Sequence, residues 1–258
     1  MATFSDDFST RSGTATQASP TAIDGWTLQA ASGSASYISA TIQTDATALG
    51  GQSLRLVDTG WGGGLILAWP TAIGSVGTGV ATEVLTSFKL GDITTNSAGF
   101  YRAVVAAART LLGGTYGYGV CFERNSNISR VRGWLFNAAN DWSALGTAKT
   151  ITADLGAGEW WWARIAVTAA GSWSWKVWEG PFSAEPGSWD VTGVSDTTNT
   201  SGYVGVGSSG GFTARDPIDF QWFSVGTAGD PAPEPSGGGG IVYGVPLRQP
   251  RPNVLLRM

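Results

Sequence analysis

The chain has 258 residues, of which only 13% are charged; its formal net charge is −4, and it holds one cysteine and no histidine. The missing histidine excludes a Ser-His-Asp triad, a Cys-His pair and any histidine-ligated metal, and the single Cys121 excludes an internal disulfide and a multi-cysteine zinc site. A pI of about 4.8 argues against nucleic acid as the partner.

In chain order, short apolar bursts and period-two alternations recur between Gly, Asn, Asp and Pro, which is the pattern of strands. The candidates are Thr3–Ser9, Gly25–Gln29, Ala35–Thr44, Gln52–Asp58, Gly63–Trp69, Ala81–Leu90 and Ala98–Ala108. Beyond them come Tyr116–Arg124, Arg130–Phe136, Glu159–Thr168, Ser172–Glu179, Tyr203–Gly207 and Ile218–Val225. Their spacing is that of an all-β sandwich. Arg102–Leu112 is the stretch where a helix competes, but the Val104-Val105 pair and the flanking Gly99, Gly113 and Gly114 favour a strand.

The clearest hairpin is Glu159–Glu179, with Ala169-Ala170-Gly171 as its turn and Gly171 at the position that needs a positive φ. By parity Trp161, Ala163, Ile165 and Val167 share one face with Trp173, Trp175 and Val177, and this face should meet the core. Trp160, Trp162 and Arg164 share the other face with Ser174, Lys176 and Trp178. Trp160, Trp162, Arg164, Lys176 and Trp178 are therefore the candidate ligand or interface residues. Three fates are open to them: a subunit interface, a sugar platform, or cover by the chain's own loops.

Composition divides the chain into a globular part at residues 1–227, a linker at 228–240 and an arm at 241–258. The run Asp230–Gly240 holds three Pro and four Gly, as linkers do. The arm carries Arg248, Arg251 and Arg257, no acid, and apolar residues that include Tyr243, Leu247 and Leu255. Pro246, Pro250 and Pro252 keep it from forming a long helix or a central strand. An apolar, basic segment of this kind is expected to dock on a neighbour through Tyr243, Leu247, Arg248, Arg251, Leu255 and Arg257. Arg outnumbers Lys by 12 to 3, a further hint of interfaces. No stretch is long and apolar enough for a membrane helix, and the first residues lack the basic start and apolar run of a signal peptide, so synthesis in a cytoplasm is expected.

Phe4-Ser5-Asp6-Asp7-Phe8-Ser9, followed by Gly25-Trp26, resembles the opening of concanavalin A-like (laminin G-like) jelly rolls. Gly51-Gln52-Ser53-Leu54-Arg55-Leu56 resembles an early strand of that family, Trp162–Trp178 its long late hairpin, and Ile218–Val225 its last strand. The resemblance covers residues 3–227. It implies an antiparallel two-sheet jelly-roll sandwich whose first and last strands lie side by side, here with an extended C-terminal arm.

The family includes sugar binders and sugar hydrolases. Its glucanases carry a Glu-x-Asp-x-x-Glu strand, which no Glu of this chain begins; Asp216-Pro217-Ile218-Asp219 is the nearest acidic pair and reads as a turn. No cofactor motif is present. Asp6, Asp7 and Asp219 would approach one another if the first and last strands pair, and whether they hold calcium is left open. Gly60-Trp61-Gly62-Gly63-Gly64 lacks the Lys-Ser/Thr of a phosphate loop, and Cys121 reads as a small buried hydrophobe. A weakly charged sandwich with an arm and no catalytic set looks like a bacteriophage virion protein, a capsid decoration or tail component. On this reading it is not an enzyme, forms a homo-oligomer and contacts other virion proteins. The alternatives are a glycan-binding, receptor-binding module and, less favoured, a glycoside hydrolase.

Overall fold

The computed structural model describes residues 3–16, 21–32, 38–58, 65–90, 101–111, 116–125, 128–137, 142–151, 159–209 and 217–236. The strands are β1 (Thr3–Asp6), β2 (Thr14–Thr16), β3 (Thr21–Ile23), β4 (Trp26–Ser32), β5 (Ile38–Thr44), β6 (Gln52–Asp58), β7 (Leu65–Pro70), β8 (Ser75–Val76) and β9 (Thr82–Leu90). They continue as β10 (Tyr101–Thr110), β11 (Tyr116–Asn125), β12 (Ile128–Asn137), β13 (Trp142–Thr150), β14 (Trp160–Val167), β15 (Ser172–Glu179), β16 (Val191–Ser195), β17 (Gly202–Ser209) and β18 (Ile218–Thr227). A single 3-10 turn at Phe182–Ala184 is the helical element among the described residues.

The strands form two antiparallel sheets packed as a sandwich. The first runs β16-β15-β14-β9-β18-β6-β5-β2, with β1 also on β18; the second runs β13-β12-β11-β10-β17-β7-β4-β3, with β8 on β17. First and last strands pair as expected: Thr3 faces Gly226 and Asp6 faces Phe223. β1 and β6 share one edge of β18, β6 pairing with Ile218–Phe220, while β9 runs along the other edge.

The core lies between the sheets. Leu54, Leu56, Val84, Phe88, Ile165, Trp173, Trp175, Phe220 and Phe223 from the first sheet meet Trp26, Leu28, Val105, Tyr118, Val120, Phe122, Val204 and Val206 from the second. Each such large side chain stabilises the fold by roughly 1.5–3 kcal/mol. The described part of the Arg102–Leu112 stretch lies in the strand β10, with Val104, Val105, Ala106, Ala107 and Ala108 all buried. The β14–β15 hairpin has the parity expected of it, with Gly171 at φ 83 in the turn.

A bulge in β18 between Phe220 and Trp222 breaks strict alternation. Phe220 and Phe223 face the core, while Trp222 packs on the other side of the sheet with Leu85, Trp162 and Trp178. Chain reading passes over β2, β3, β8, β13 and β16 altogether. Four of these, β2, β3, β13 and β16, are the terminal strands of the two sheets. A strand with one neighbour carries less of the apolar alternation by which strands are read.

Close approach of β7 and β17 depends on Gly205, where a Cβ would lie 2.1 Å from the Ala68 carbonyl oxygen. Gly205→Ala is expected to lower stability by about 3 kcal/mol, near the upper end for overpacking. Urea unfolding measures it, and a variant as stable as the parent contradicts this approach.

Candidate functional site

The outer face of the first sheet gathers the polar and aromatic side chains that parity directs away from the core. Trp162 on β14 stands opposite Trp178 on β15, their rings stacked 6.1 Å apart and 10° from parallel. Phe182 closes on both, and Leu85, Trp222 and Ala232 complete the cluster. The Trp162 indole N–H donates to the Gly180 carbonyl at 3.1 Å, and that of Trp222 donates to Ser224 Oγ at 3.2 Å.

Beside the rings, Arg164 stands opposite Lys176. Two cations at a cross-strand position repel, so this register requires anions. Glu185, just past the 3-10 turn, takes Arg164 Nε at 2.7 Å and Nη2 at 2.8 Å. Its Oε1 also lies 2.7 Å from Lys176 Nζ. Lys176 further donates to the Pro186 carbonyl at 2.8 Å. Arg164 also bonds Glu83 of β9 and reaches Glu234 at 3.4 Å. Burial pushes the Glu185 carboxyl up, but the hydrogen bonds from Arg164 and Lys176 overcome this and hold it below the usual carboxylate range. Burial disfavours the Arg164 charge too, and Glu185 and Glu83 more than restore it.

Across the same face, the 45–51 loop folds onto the sheet. Lys89 bonds Asp45 and sits 4.7 Å over the Trp160 ring, while the Trp160 indole N–H donates to Thr47 Oγ1 at 3.1 Å. Gln221 donates to Ser87 Oγ at 2.7 Å and accepts the Leu49 amide at 2.9 Å. The five candidate residues thus all lie on this outer face, and none stands open: Trp160, Trp162, Arg164, Lys176 and Trp178 are between 1% and 8% exposed. Within the chain, neighbouring segments of the chain itself lie over them.

Part of that cover comes from the proline-rich run. Residues 228–236 are not free of the domain. Ala232 is 1% exposed among the rings, and its amide donates to Glu83 at 3.2 Å. The Pro233 carbonyl accepts Ser224 Oγ at 2.6 Å. Gly226 makes room: a Cβ there would lie 2.3 Å from the Asp230 carbonyl oxygen and 2.4 Å from that of Pro231. The arm residues Tyr243, Leu247, Arg248, Arg251, Leu255 and Arg257 lie outside the described residues.

The aspartates considered for calcium have protein partners. Asp6 accepts the Phe8 amide at 2.9 Å, Arg11 Nε at 2.9 Å and the Trp26 indole at 2.8 Å. Asp7 accepts the Ser9 amide and hydroxyl, while Asp219 takes Arg55 at 2.7 and 2.8 Å and Gln43 at 3.2 Å. Among the described residues no group of three His, Cys, Asp or Glu is placed to hold a metal ion. Glu83, Glu185, Glu234, Phe182 and Trp222 belong to this face and escape chain reading. The one signal for the acids is the Arg164–Lys176 pairing, which requires anions but does not say which.

The sequence matches no family model and no curated protein. Solved structures of similar shape include a Shewanella oneidensis MR-1 protein of unknown function, with a TM-score of 0.49 and 13% identity over 81% of this chain and 80% of that one. An alginate lyase from Pseudomonas aeruginosa has a TM-score of 0.45 and 11% identity over 72% of this chain and 85% of its own. The CBM2 module of the evolved Dit of Lactobacillus casei BL23 phage J-1 has a TM-score of 0.40 and 10% identity over 75% and 77%. Likeness this distant carries nothing about what the chain does.

Glu185→Ala leaves Arg164 and Lys176 facing each other without their shared anion. Loss of one partner of a buried ion pair costs about 3–5 kcal/mol. The Glu185 side chain keeps 17% of its exposure, so solvent screening reduces the expected loss to about 2–3 kcal/mol. Chemical unfolding reads it, and a loss below about 0.5 kcal/mol contradicts the clamp. Glu179 offers a second test. Its hydrogen bond with Glu159, with burial adding to it, pushes its carboxyl up from 4.5 to about 7. The folded state therefore holds a proton that the unfolded chain releases. This stabilisation is complete below pH 4.5 and fades as the pH rises through about 7. Glu179→Gln should flatten thermal stability against pH across that window, and an unchanged profile contradicts the raised Glu179 carboxyl.

Proposed function

We propose that this chain is a non-enzymatic structural protein of a virion, a capsid decoration or tail component, that contacts neighbouring subunits through its sandwich and its C-terminal arm. The observation that supports this most is the seating of residues 228–236. Ala232, Pro233 and Glu234 are each tied to the first sheet, so the chain is held against that sheet as far as Glu234. An arm makes its second contact effectively intramolecular once the body has bound. Charge supports the same reading. Residues 241–258 carry three Arg and no acid, so the rest of the chain has 12 basic and 19 acidic residues, a net −7. A basic arm suits the acidic body of a neighbour. On the outer face the large aromatic and charged groups hold the chain's own segments, which is work of architecture rather than of turnover.

A glycan-binding role is the second reading, favoured by the placing of Trp160 beside Lys89 and Thr47, with Asp45 on Lys89: a ring with directional polar groups on one sheet face. On that reading a sugar takes the place of Lys89 over the ring.

Deleting residues 241–258 tests the assembly reading. The shortened chain should keep its circular-dichroism spectrum and melting temperature while losing incorporation into particles, or the oligomer seen by light scattering. Undiminished incorporation contradicts the arm. Binding of the full chain to a glycan array, abolished by Trp160→Ala, moves the assignment to the second reading.

A further inference from the structure

The groove on the first sheet is lined by aromatic rings, and what fills it is proline-rich. Trp162, Trp178, Trp222 and Phe182 enclose Ala232 of the run Asp230-Pro231-Ala232-Pro233-Glu234-Pro235. In the groove the Ala232 amide of the run donates to Glu83, and its Pro233 carbonyl accepts Ser224 Oγ. The run is also held by a charge, Glu234 on Arg164. Aromatic walls, a few main-chain bonds and a charge that sets direction are the means by which receptors take proline-rich peptides. Such a peptide is nearly rigid before it binds and loses little entropy on docking. Glu83, Arg164, Trp162, Trp178, Phe182, Trp222 and Ser224 all precede the turn that leads into the run. A run arriving from another molecule meets the same receptor.

The turn supplies the second observation. Ala228 is held at φ 59 and Gly229 at φ 92 to fold the run back onto its own sheet. The Ala228 amide donates to the Ala81 carbonyl at 2.8 Å, and the Asp230 amide donates to Thr227 at 3.2 Å. Left-handed backbone is unfavourable for alanine, so the closed form stores strain that an opened turn releases. Opening and re-docking in trans keeps every groove contact, so turn strain and chain concentration decide between the two forms.

We propose that the groove of one copy takes the Asp230–Pro235 run of a second copy, so that subunits join by exchanging straps. The inference deepens the assembly reading and rests on it only for the presence of neighbouring copies. In the two-copy form the exchange is reciprocal about a two-fold axis. It needs no new surface, because the contact already exists within one chain.

The full-length chain carrying Ala228→Pro tests it. Proline holds φ near −65° and has no N–H for Ala81, so folding back in cis is lost while the groove and the run stay intact. Size-exclusion chromatography with light scattering should move to dimers or larger species, with tryptophan emission still blue because the grooves are filled. Ala228→Gly relieves the turn and should shift the balance about fivefold towards monomer. A monomeric Ala228→Pro with red-shifted emission overturns the proposal, since the strap has then left its groove for nothing. A monomer with unchanged emission also overturns it. A second pair of variants does not depend on the turn. Full-length Ser224→Cys chain mixed with full-length Pro233→Cys chain should give a disulfide-linked dimer on a non-reducing gel, and absence of that dimer counts against exchange. Repeating the Ala228→Pro measurement without residues 241–258 separates the two ideas. Strap-exchanged dimers should persist there even if the arm is what particle incorporation needs, and loss of the dimer with the arm assigns the contact to the arm and overturns strap exchange.

Discussion

Arg164 and Lys176 stand directly opposite each other on β14 and β15, and two cations in that register repel unless a carboxylate lies between them. Much of the outer face of the first sheet follows from this constraint. Glu185 bridges both, which fixes the 3-10 turn at Phe182–Ala184 over the sheet and brings Phe182 onto Trp162 and Trp178. Glu83 comes from β9 and Glu234 from the proline-rich run. Glu83 has a second task, as it also accepts the Ala232 amide. One ionic cluster therefore couples the hairpin, its neighbouring strand, the following loop and the last described segment of the chain. A buried cluster of this kind adds little net stability over an apolar replacement, and its value lies in admitting one arrangement and rejecting others.

The fold was legible where a strand is long, has neighbours on both sides and carries a sustained apolar pattern. β6 and β15 match their sequence boundaries, and the core face of the Trp160–Glu179 hairpin follows from parity alone. The terminal strands were not legible, because β2, β3, β13 and β16 each have one neighbour and a weaker apolar alternation. Nor was the β18 bulge, which turns Trp222 away from the core and so adds a ring to the outer face. The side of the sheet on which Trp162 and Trp178 lie could be read from the chain. What lies over them could not, because parity fixes a direction and says nothing of what waits there.

The Asp230–Gly240 run shows the same limit from the other side. Its Pro and Gly content is that of a linker, and composition alone gives no reason to dock it. Docking depends on residues spread through the chain. Gly226 lets the backbone lie close, Ser224 and Glu83 bond it, and Arg164 draws Glu234. Proline makes the run cheap to order, and the small Ala232 lets it enter between rings. A segment that looks like a spacer is thereby made part of the sheet's cover.

The central claim is that the first sheet's outer face is closed by the chain's own Ala228–Glu234 segment rather than left open as a platform. Hydrogen exchange of the full-length protein tests it most directly, because Pro231, Pro233 and Pro235 carry no amide and the segment is reported by Ala228, Asp230 and Ala232. These donate to the Ala81 and Thr227 carbonyls and to Glu83, so they should exchange slowly, with protection approaching that of β18. Exchange at the rate of an unstructured peptide would contradict the account.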